Sequence, residues 1–334
     1  MRPTIRDVAK ELNLSITTVS RALDGYSDVA KETRQLVMET ARRLGYTPNR
    51  AARQLRRRKA ETVGYVLPAG AQHFAEPFFT EFIAGLGNEL APRNYDLLVS
   101  AVASEEDERE MYRRWAEGGK VDGFILNRLR LKDWRVKFLA KQSIPFATLD
   151  YSGEGRYPCI RVDGAKGYVD LVQHIQRNGF RKFAYIGGPS SLVSQTERLD
   201  WFRQAIKARK LRLNEKNILS TDLTSSGGYE CAVELLSLPD PPDAILCVND
   251  ETACGVLHAA HKQGLAIGKD LAVAGFDGVQ EARHTEPPLT TLDIPVFDIA
   301  RQLVDMLLMT IGGEAGKTPV FIKPALLVRP STGS

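Results

Sequence analysis

Between residues 61 and 293, short apolar runs alternate with amphipathic stretches of helical period, and this alternation restricts the fold more than any other feature. VGYVLP (63–68), YDLLVSA (95–101), VDGFIL (121–126) and PFATLD (145–150) read as buried strands, separated by helical stretches near 77–92, 105–118 and 132–141. A second series has strands KFAYIGG (182–188), AILCVND (244–250) and LAVAGFDG (271–278), with helices near 164–178, 194–210, 226–237 and 250–264. Strands that alternate with helices pair in parallel and are covered on both faces. Two such series predict two α/β lobes with a cleft between them, and the length suffices for both. TTLDIP, a helix near 296–312 and VFIKPALLVRP then predict a return to the first lobe and a final re-entry into the second.

In open α/β sheets, ligands bind at the carboxyl ends of the strands. Asp150 closes PFATLD, Asn249 and Asp250 close AILCVND, and Asp277 closes LAVAGFDG, while Arg198 lies near the start of the helix after YIGG. Carboxylates, an amide and a guanidinium can together chelate the adjacent hydroxyls of a sugar, whose oxygens each donate and accept. His73, Phe74, Phe78 and Phe79 follow the first strand and offer aromatic cover for a ring face. Singly, each polar residue is more often a turn former or a helix cap. Their recurrence at equivalent strand ends is what favours a site.

The first 60 residues have a different character. Thr4 is an N-cap with Asp7 three residues on, and Val8, Ala9 and Leu12 share one face of a helix expected from Ile5 to Asn13. Asn13 to Ser15 form a turn, Ser15 caps again, and Val19, Ala22 and Leu23 supply the stripe of a second helix whose other face shows Thr17 and Arg21, with Ile16 leading. A third helix from Lys31 to Leu44 turns Leu36, Val37, Thr40, Ala41 and Leu44 inward, and Gly45 ends it. This small all-α unit is a helix-turn-helix pattern, and such a second helix can lie in the major groove of DNA. Residues 1–60 hold fourteen Lys and Arg against six Asp and Glu, a net of +8, whereas the whole chain is only +4. Basic character confined to one end fits phosphate contacts. The plainer reading is a three-helix packing module with a solvated basic face.

YTPNRAARQLRRRK follows, with Asn49 placed to cap a short helix over Arg50 to Arg58 whose apolar residues are Ala51, Ala52 and Leu55. It is too short and too charged to stand alone, and is expected to order on DNA, Leu55 serving as a minor-groove wedge; the alternative is a plain linker. DVAKELNLSITTVSRAL, the stretch KETRQLVMETARRLGYTPNRAARQL and the hinge leucine together resemble the headpiece and hinge of the LacI family of bacterial transcription regulators. The resemblance implies that Ile16, Thr17 and Arg21 read operator bases, that Leu55 intercalates, and that Ala52 and Arg53 lie beside it in the minor groove. Thr4, Ser15, Ser20 and Asn49 complete the candidate DNA-binding set. It also implies a core of the periplasmic-binding-protein type I kind, in which His73, Phe74, Phe78, Asp150, Arg198, Asn249 and Asp277 would bind effector. EPFFTEFIAGL, YDLLVSA, VDGFIL and PPLTT resemble regulators of oligosaccharide uptake genes, of an α-glucoside-responsive kind. Three positions depart from the family pattern: Glu76 and Gly164 each replace a usual Asn, and Trp201 replaces a usual Gly.

The expected organisation is a DNA-binding headpiece (1–46), a hinge (47–60) and an effector-binding and dimerisation core (61–334). Its N-lobe comprises about 61–160 plus 293–322, and its C-lobe about 161–292 plus 323–334. The expected function is a sequence-specific transcription regulator, a repressor of sugar uptake or catabolism genes, acting on double-stranded operator DNA of pseudo-palindromic form. A mono- or oligosaccharide is the expected effector; a nucleobase or a phosphoprotein co-repressor is the alternative. Nothing heptad-like follows Arg329, which favours a homodimer over a zippered tetramer. Four cysteines without metal-ligand spacing and no leading signal peptide point to the cytoplasm, and no apolar run reaches membrane-spanning length. No cofactor, metal or catalytic residue is expected, so an enzyme is not. No G-x-G-x-x-G follows the first strand, as an NAD enzyme would require, and His258 and His261 could share a helix face but lack a third ligand. A solute-binding protein would share the core but not the headpiece.

Overall fold

A computed structural model describes residues 3–47, 59–67, 77–314 and 318–333. The chain divides into two compact units, Met1–Ala60 and Glu61–Ser334.

In the first unit, helix α1 (Ile5–Glu11) is followed by α2 (Ile16–Leu23) and α3 (Lys31–Leu44). The Thr4 N–H and hydroxyl both donate to the Asp7 carboxylate, at 2.8 Å each, and these bonds hold the Asp7 pKa below its ordinary value. α1 ends two residues earlier than the apolar pattern predicts, because Asn13 turns left-handed at φ +51° and breaks the ladder. Gly45, at φ +69°, closes α3. Val8, Val19 and Val37 are fully buried, with Ala9, Ala22, Val29 and Ala41 around them. Leu36 was expected in this core but is 50% exposed. It stands roughly 100° around the helix from Val37, and Thr40 and Ala41 fill the inward face instead.

The second unit contains two parallel-type sheets. Among the described residues, the first has strand order β11-β5-β4-β3-β1-β2, built from β1 (Thr62–Leu67), β2 (Asp96–Ala101), β3 (Gly123–Leu126), β4 (Phe146–Leu149), β5 (Cys159–Val162) and β11 (Val320–Ile322). The second has order β12-β10-β9-β8-β6-β7, built from β6 (Phe183–Gly187), β7 (Ile218–Ser220), β8 (Ala244–Cys247), β9 (Ala272–Asp277), β10 (Thr290–Asp293) and β12 (Ala325–Leu327). Every pairing is parallel except that of β10 with β12. β7 stands outside the anticipated strands: a half-exposed three-residue edge is too short to carry a period.

Helices α4 (Pro77–Leu90), α5 (Glu105–Glu117), α6 (Trp134–Lys141) and α11 (Val296–Ile311) accompany the first sheet. α7 (Ala165–Arg177), α8 (Val193–Ala208), α9 (Ser225–Leu236) and α10 (Asp250–Lys262) accompany the second. All eight lie within a few residues of the ranges that the sequence predicts. The central strands are buried along their whole length, which is why they read as continuous apolar runs. The chain passes between the sheets after β5, after β10 and after β11. No described helix is long and apolar enough to cross a membrane.

Candidate nucleic-acid interface and ligand cleft

The two units expose their candidate residues in opposite ways. In the first, the Ser15 hydroxyl accepts the Thr18 N–H at 3.0 Å, so α2 begins with an uncovered first turn. Ile16 is 46% exposed, Thr17 is exposed, and one turn on the half-buried Arg21 pairs with Asp28 and lies 4.9 Å over the Tyr26 ring. Thr4, Ser15, Ile16 and Thr17 thus offer surface at the starts of α1 and α2, and Arg21 offers it in the last turn of α2. Ser20 does not: its side chain is packed into the unit and is 6% exposed, because Val19, Ser20 and Ala22 together form the buried wall of α2. Asn49, Ala52, Arg53 and Leu55 lie outside the described residues.

In the second unit, Phe78, Asp150, Arg198, Asn249 and Asp277 line one cavity between the carboxyl ends of the two sheets. Its volume is about 60 Å³, and roughly 10–15 Å³ on this measure is enough to hold one water. Asp150 follows β4 at φ +76° and Asp277 ends β9 at φ +106°. Left-handed backbone at a non-glycine residue costs about 1–3 kcal/mol and concentrates at functional sites. Here it is held by the Asp150 N–H donating to the Ile160 carbonyl and by the Thr148 hydroxyl donating to the Asp150 carbonyl.

Arg198 is fixed on three sides. Nη1 donates to the Val248 carbonyl at 2.6 Å, Nη2 donates to Asp277 Oδ1 at 3.1 Å, and the guanidinium carbon lies 3.7 Å over the Phe276 ring. Burial opposes its charge, but Asp277 and its other neighbours hold its pKa above the ordinary value. Asp150 lacks such support. No described residue donates a hydrogen bond to its carboxylate; burial, with repulsion from Glu197, outweighs Arg198 and Arg161 and pushes its pKa up to about 7.

The other strand-end residues divide between site and scaffold. Asn249 caps α10 by accepting the Thr252 N–H, and its amide donates to the Leu223 carbonyl, so the plainer reading of it as a cap holds beside its place in the cleft. Asp250 is wholly structural: it accepts from Gly278 N–H, Val279 N–H and the Thr291 hydroxyl, tying α10 to β9 and β10. Phe78 stacks on Phe82 at 5.8 Å. Phe79, expected on a ligand face, is 1% exposed in the lobe core, with Arg128 over its ring. His73 and Phe74 lie outside the described residues. His258 packs edge-on against Tyr229, and no group of three or more potential metal ligands occurs among the described residues.

Sequence reasoning missed several neighbours of this set, Asn127, Arg128 and Gln195 among them. Asn127 lines the cavity immediately after β3, where the strand-end rule should have found it. Arg128 beside it and Gln195, in the first turn of α8, line it as well, but neither belongs to a pattern readable along the chain. A buried ion cluster holds the 127–133 loop. Arg135 pairs with Asp133 at 2.7 Å and with Glu108 at 3.3 Å, Arg130 reaches Glu108 at 2.8 Å, and Arg135 Nη2 donates to the carbonyls of Asn127 and Arg128. The same loop crosses to the other lobe: Leu131 N–H donates to the Ser191 carbonyl and Val193 N–H to the Leu129 carbonyl, both at 2.9 Å. Arg161 to Glu197, 2.8 Å, is a second link. Two of the departures from the family pattern also meet in space, for a Cβ built on Gly164 would stand 2.7 Å from the Trp201 ring. The bulk gained at 201 occupies the room vacated at 164.

Comparison with known proteins agrees with both halves. Residues 4–49 match the family described as bacterial regulatory proteins, lacI family, and residues 172–332 match a periplasmic binding protein-like domain. The HTH-type transcriptional regulator AglR of Rhizobium meliloti (strain 1021) is 34% identical over 342 residues, covering 100% of this chain and 95% of that protein. The HTH-type transcriptional regulator CelR of Thermobifida fusca is 30% identical, covering 99% and 98%. Among solved structures, a transcriptional regulator CelR–cellobiose complex has 29% identity and a TM-score of 0.75, covering 99% of this chain and 100% of that one. The lac repressor dimer bound to operator and an anti-inducer has 25% identity and a TM-score of 0.86, with 100% of both chains covered. With a helix-turn-helix unit ahead of a two-lobe α/β core, and a relative this similar along its whole length, the chain belongs to the lacI family of bacterial regulatory proteins and is a DNA-binding transcription regulator.

Proposed function

We propose that this regulator is a repressor of sugar uptake or catabolism genes whose effector is a neutral mono- or oligosaccharide held between the two lobes of the core. The observation that carries the reading is the Asp150 carboxylate, buried in the cleft with no hydrogen bond from any described residue, opposite an Arg198 already engaged by Asp277 and Val248. A buried acceptor without a partner favours a ligand that donates, and hydroxyl groups do so. The cellobiose complex of a relative supports the ligand class.

Thr4, Ser15, Ile16, Thr17 and Arg21 are assigned to the operator, with Asn49, Ala52, Arg53 and Leu55 of the hinge. Residues 1–46, 47–60 and 61–334 are assigned as headpiece, hinge and effector core. A homodimer reads a pseudo-palindromic operator, because a two-fold protein presents two equivalent headpieces. It acts in the bacterial cytoplasm, where the DNA is, and carries out no catalysis.

Effector changes operator affinity through its differential binding to two lobe orientations, related by rotation about the crossings after β5, β10 and β11. That rotation alters the separation at which a dimer presents its hinge segments. Operator mobility shifts and thermal shifts of the full chain against maltose, sucrose, trehalose, cellobiose and a set of purines test the reading. A neutral sugar that raises thermal stability and changes operator affinity supports it; a response to purines alone would replace it.

A further inference from the structure

We infer that Gln195 is a specificity-determining residue of the effector site, its side-chain amide meeting one hydroxyl of the bound saccharide. The inference rests on the saccharide reading above. Gln195 is 8% exposed and lines the same cavity as Asp150, Arg198, Asn249 and Asp277. Its amide oxygen is buried and accepts no hydrogen bond from any described residue. Its amide nitrogen has only the neighbouring Ser194 hydroxyl, at 3.3 Å.

A buried amide acceptor is normally paired, so an orphan in a cavity wall marks the place of an absent donor. The local architecture is built around this side chain. Gly188, just after β6, leaves the room that it occupies: a Cβ there would stand 2.8 Å from Gln195 Oε1 and 2.3 Å from Leu223. The residue sits in the first turn of α8, three positions before Arg198 and therefore on the same helical face. A ligand anchored by Arg198 lies within reach of residue 195. Gln195 Oε1 is buried, so a ligand that pairs with it displaces part of the cavity wall that Gln195 forms. An amide offers both an acceptor and a donor to a sugar hydroxyl, whereas an apolar side chain of the same length offers neither.

The test uses the full chain and whichever of maltose, sucrose, trehalose and cellobiose binds tightest, together with its monodeoxy derivatives. The wild type discriminates against one deoxy sugar by about tenfold or more, as sites that hydrogen-bond a hydroxyl do. Gln195→Met weakens the parent sugar by about tenfold and removes discrimination at that one hydroxyl, so the two losses do not add. Gln195→Ala shows the same pattern should the Met variant fold poorly. Unchanged sugar ranking in either folded variant, or losses that simply add, overturns the assignment of Gln195 alone. A wild type that binds none of these sugars overturns the saccharide reading, and Gln195 with it.

Discussion

The headpiece and the core carry function on opposite kinds of surface. In Met1–Ala60, a small core of short aliphatic residues fixes three helices, and the candidate contacts are left outside, with Ile16 46% exposed and Thr17 in solvent. In Glu61–Ser334, the candidate contacts are themselves buried: Asp150, Arg198, Asn249 and Asp277 are each no more than 9% exposed. An exposed contact such as Ile16 or Thr17, which caps no helix, can be exchanged with little effect on the fold. A buried one answers to packing, charge balance and backbone strain at once, so ligand specificity and stability are coupled in the core and separable in the headpiece.

The strongest challenge to this contrast is Arg135→Met. It leaves Asp133 a buried carboxylate without its ion-pair partner and Glu108 with Arg130 alone, and removing one member of a buried ion pair costs about 3–5 kcal/mol. Chemical denaturation followed by tryptophan fluorescence reads that loss in the core alone, since Trp115, Trp134 and Trp201 all lie there; a loss below about 1 kcal/mol would mean that the cluster is not what holds the 127–133 loop. Next in size is Arg198→Ala. Truncating a buried hydrogen-bonded charge costs about 2–5 kcal/mol, so sugar affinity falls by about 30-fold or more while operator affinity without sugar stays within about twofold. Equal losses in both would show that the two surfaces are not separable.

Asp150 supplies a pH-dependent test of intermediate size. Its carboxyl is raised from 3.8 to about 7 in the folded chain, so the native state holds a proton that the unfolded state has released. The penalty of the buried charge is absent below pH 3.8, grows as pH rises, and is complete above about pH 7. Asp150→Asn is therefore more stable than wild type at pH 8 and loses that advantage towards pH 4, as thermal melts across this range would read; a constant difference would place the cause elsewhere. The smallest effect belongs to the headpiece. Ser15→Ala removes the α2 cap at a cost of about 1 kcal/mol, measurable as earlier melting of far-ultraviolet helicity in residues 1–60 with the core transition unmoved.

Much of this was legible along the chain. α3 falls on Lys31–Leu44 as its periodicity predicts, and the helices of the core begin and end within a few residues of their apolar stripes, because a buried face imposes a period on the sequence. The exceptions share one cause. Leu36 satisfies the helical pattern loosely, and only the shape of the small core sends it to solvent. Ser20 looks like a second exposed hydroxyl beside Thr17, yet it is packed away. Asp250 and Asn249 are adjacent polar residues after one strand; Asp250 is spent on the scaffold, and Asn249 serves both cap and cleft. Gln195 carries no signal in the chain at all, since a lone glutamine at a helix start is ordinary until its neighbours are known.

What the sequence determined by itself was therefore everything with a local cause: the caps, the helix stripes, the apolar strands, the basic prefix and the strand-end position of Asp150 and Asp277. Each follows from neighbours within a few residues. The tertiary structure decided which of those polar groups is left over. Whether a buried carboxylate or amide finds a partner depends on segments far away in the chain, such as Val248 reaching Arg198, Thr291 reaching Asp250 and Trp201 filling the space at Gly164. In this protein, the groups left over in the cleft, Asp150 and Gln195, are the ones on which the proposed ligand assignment rests.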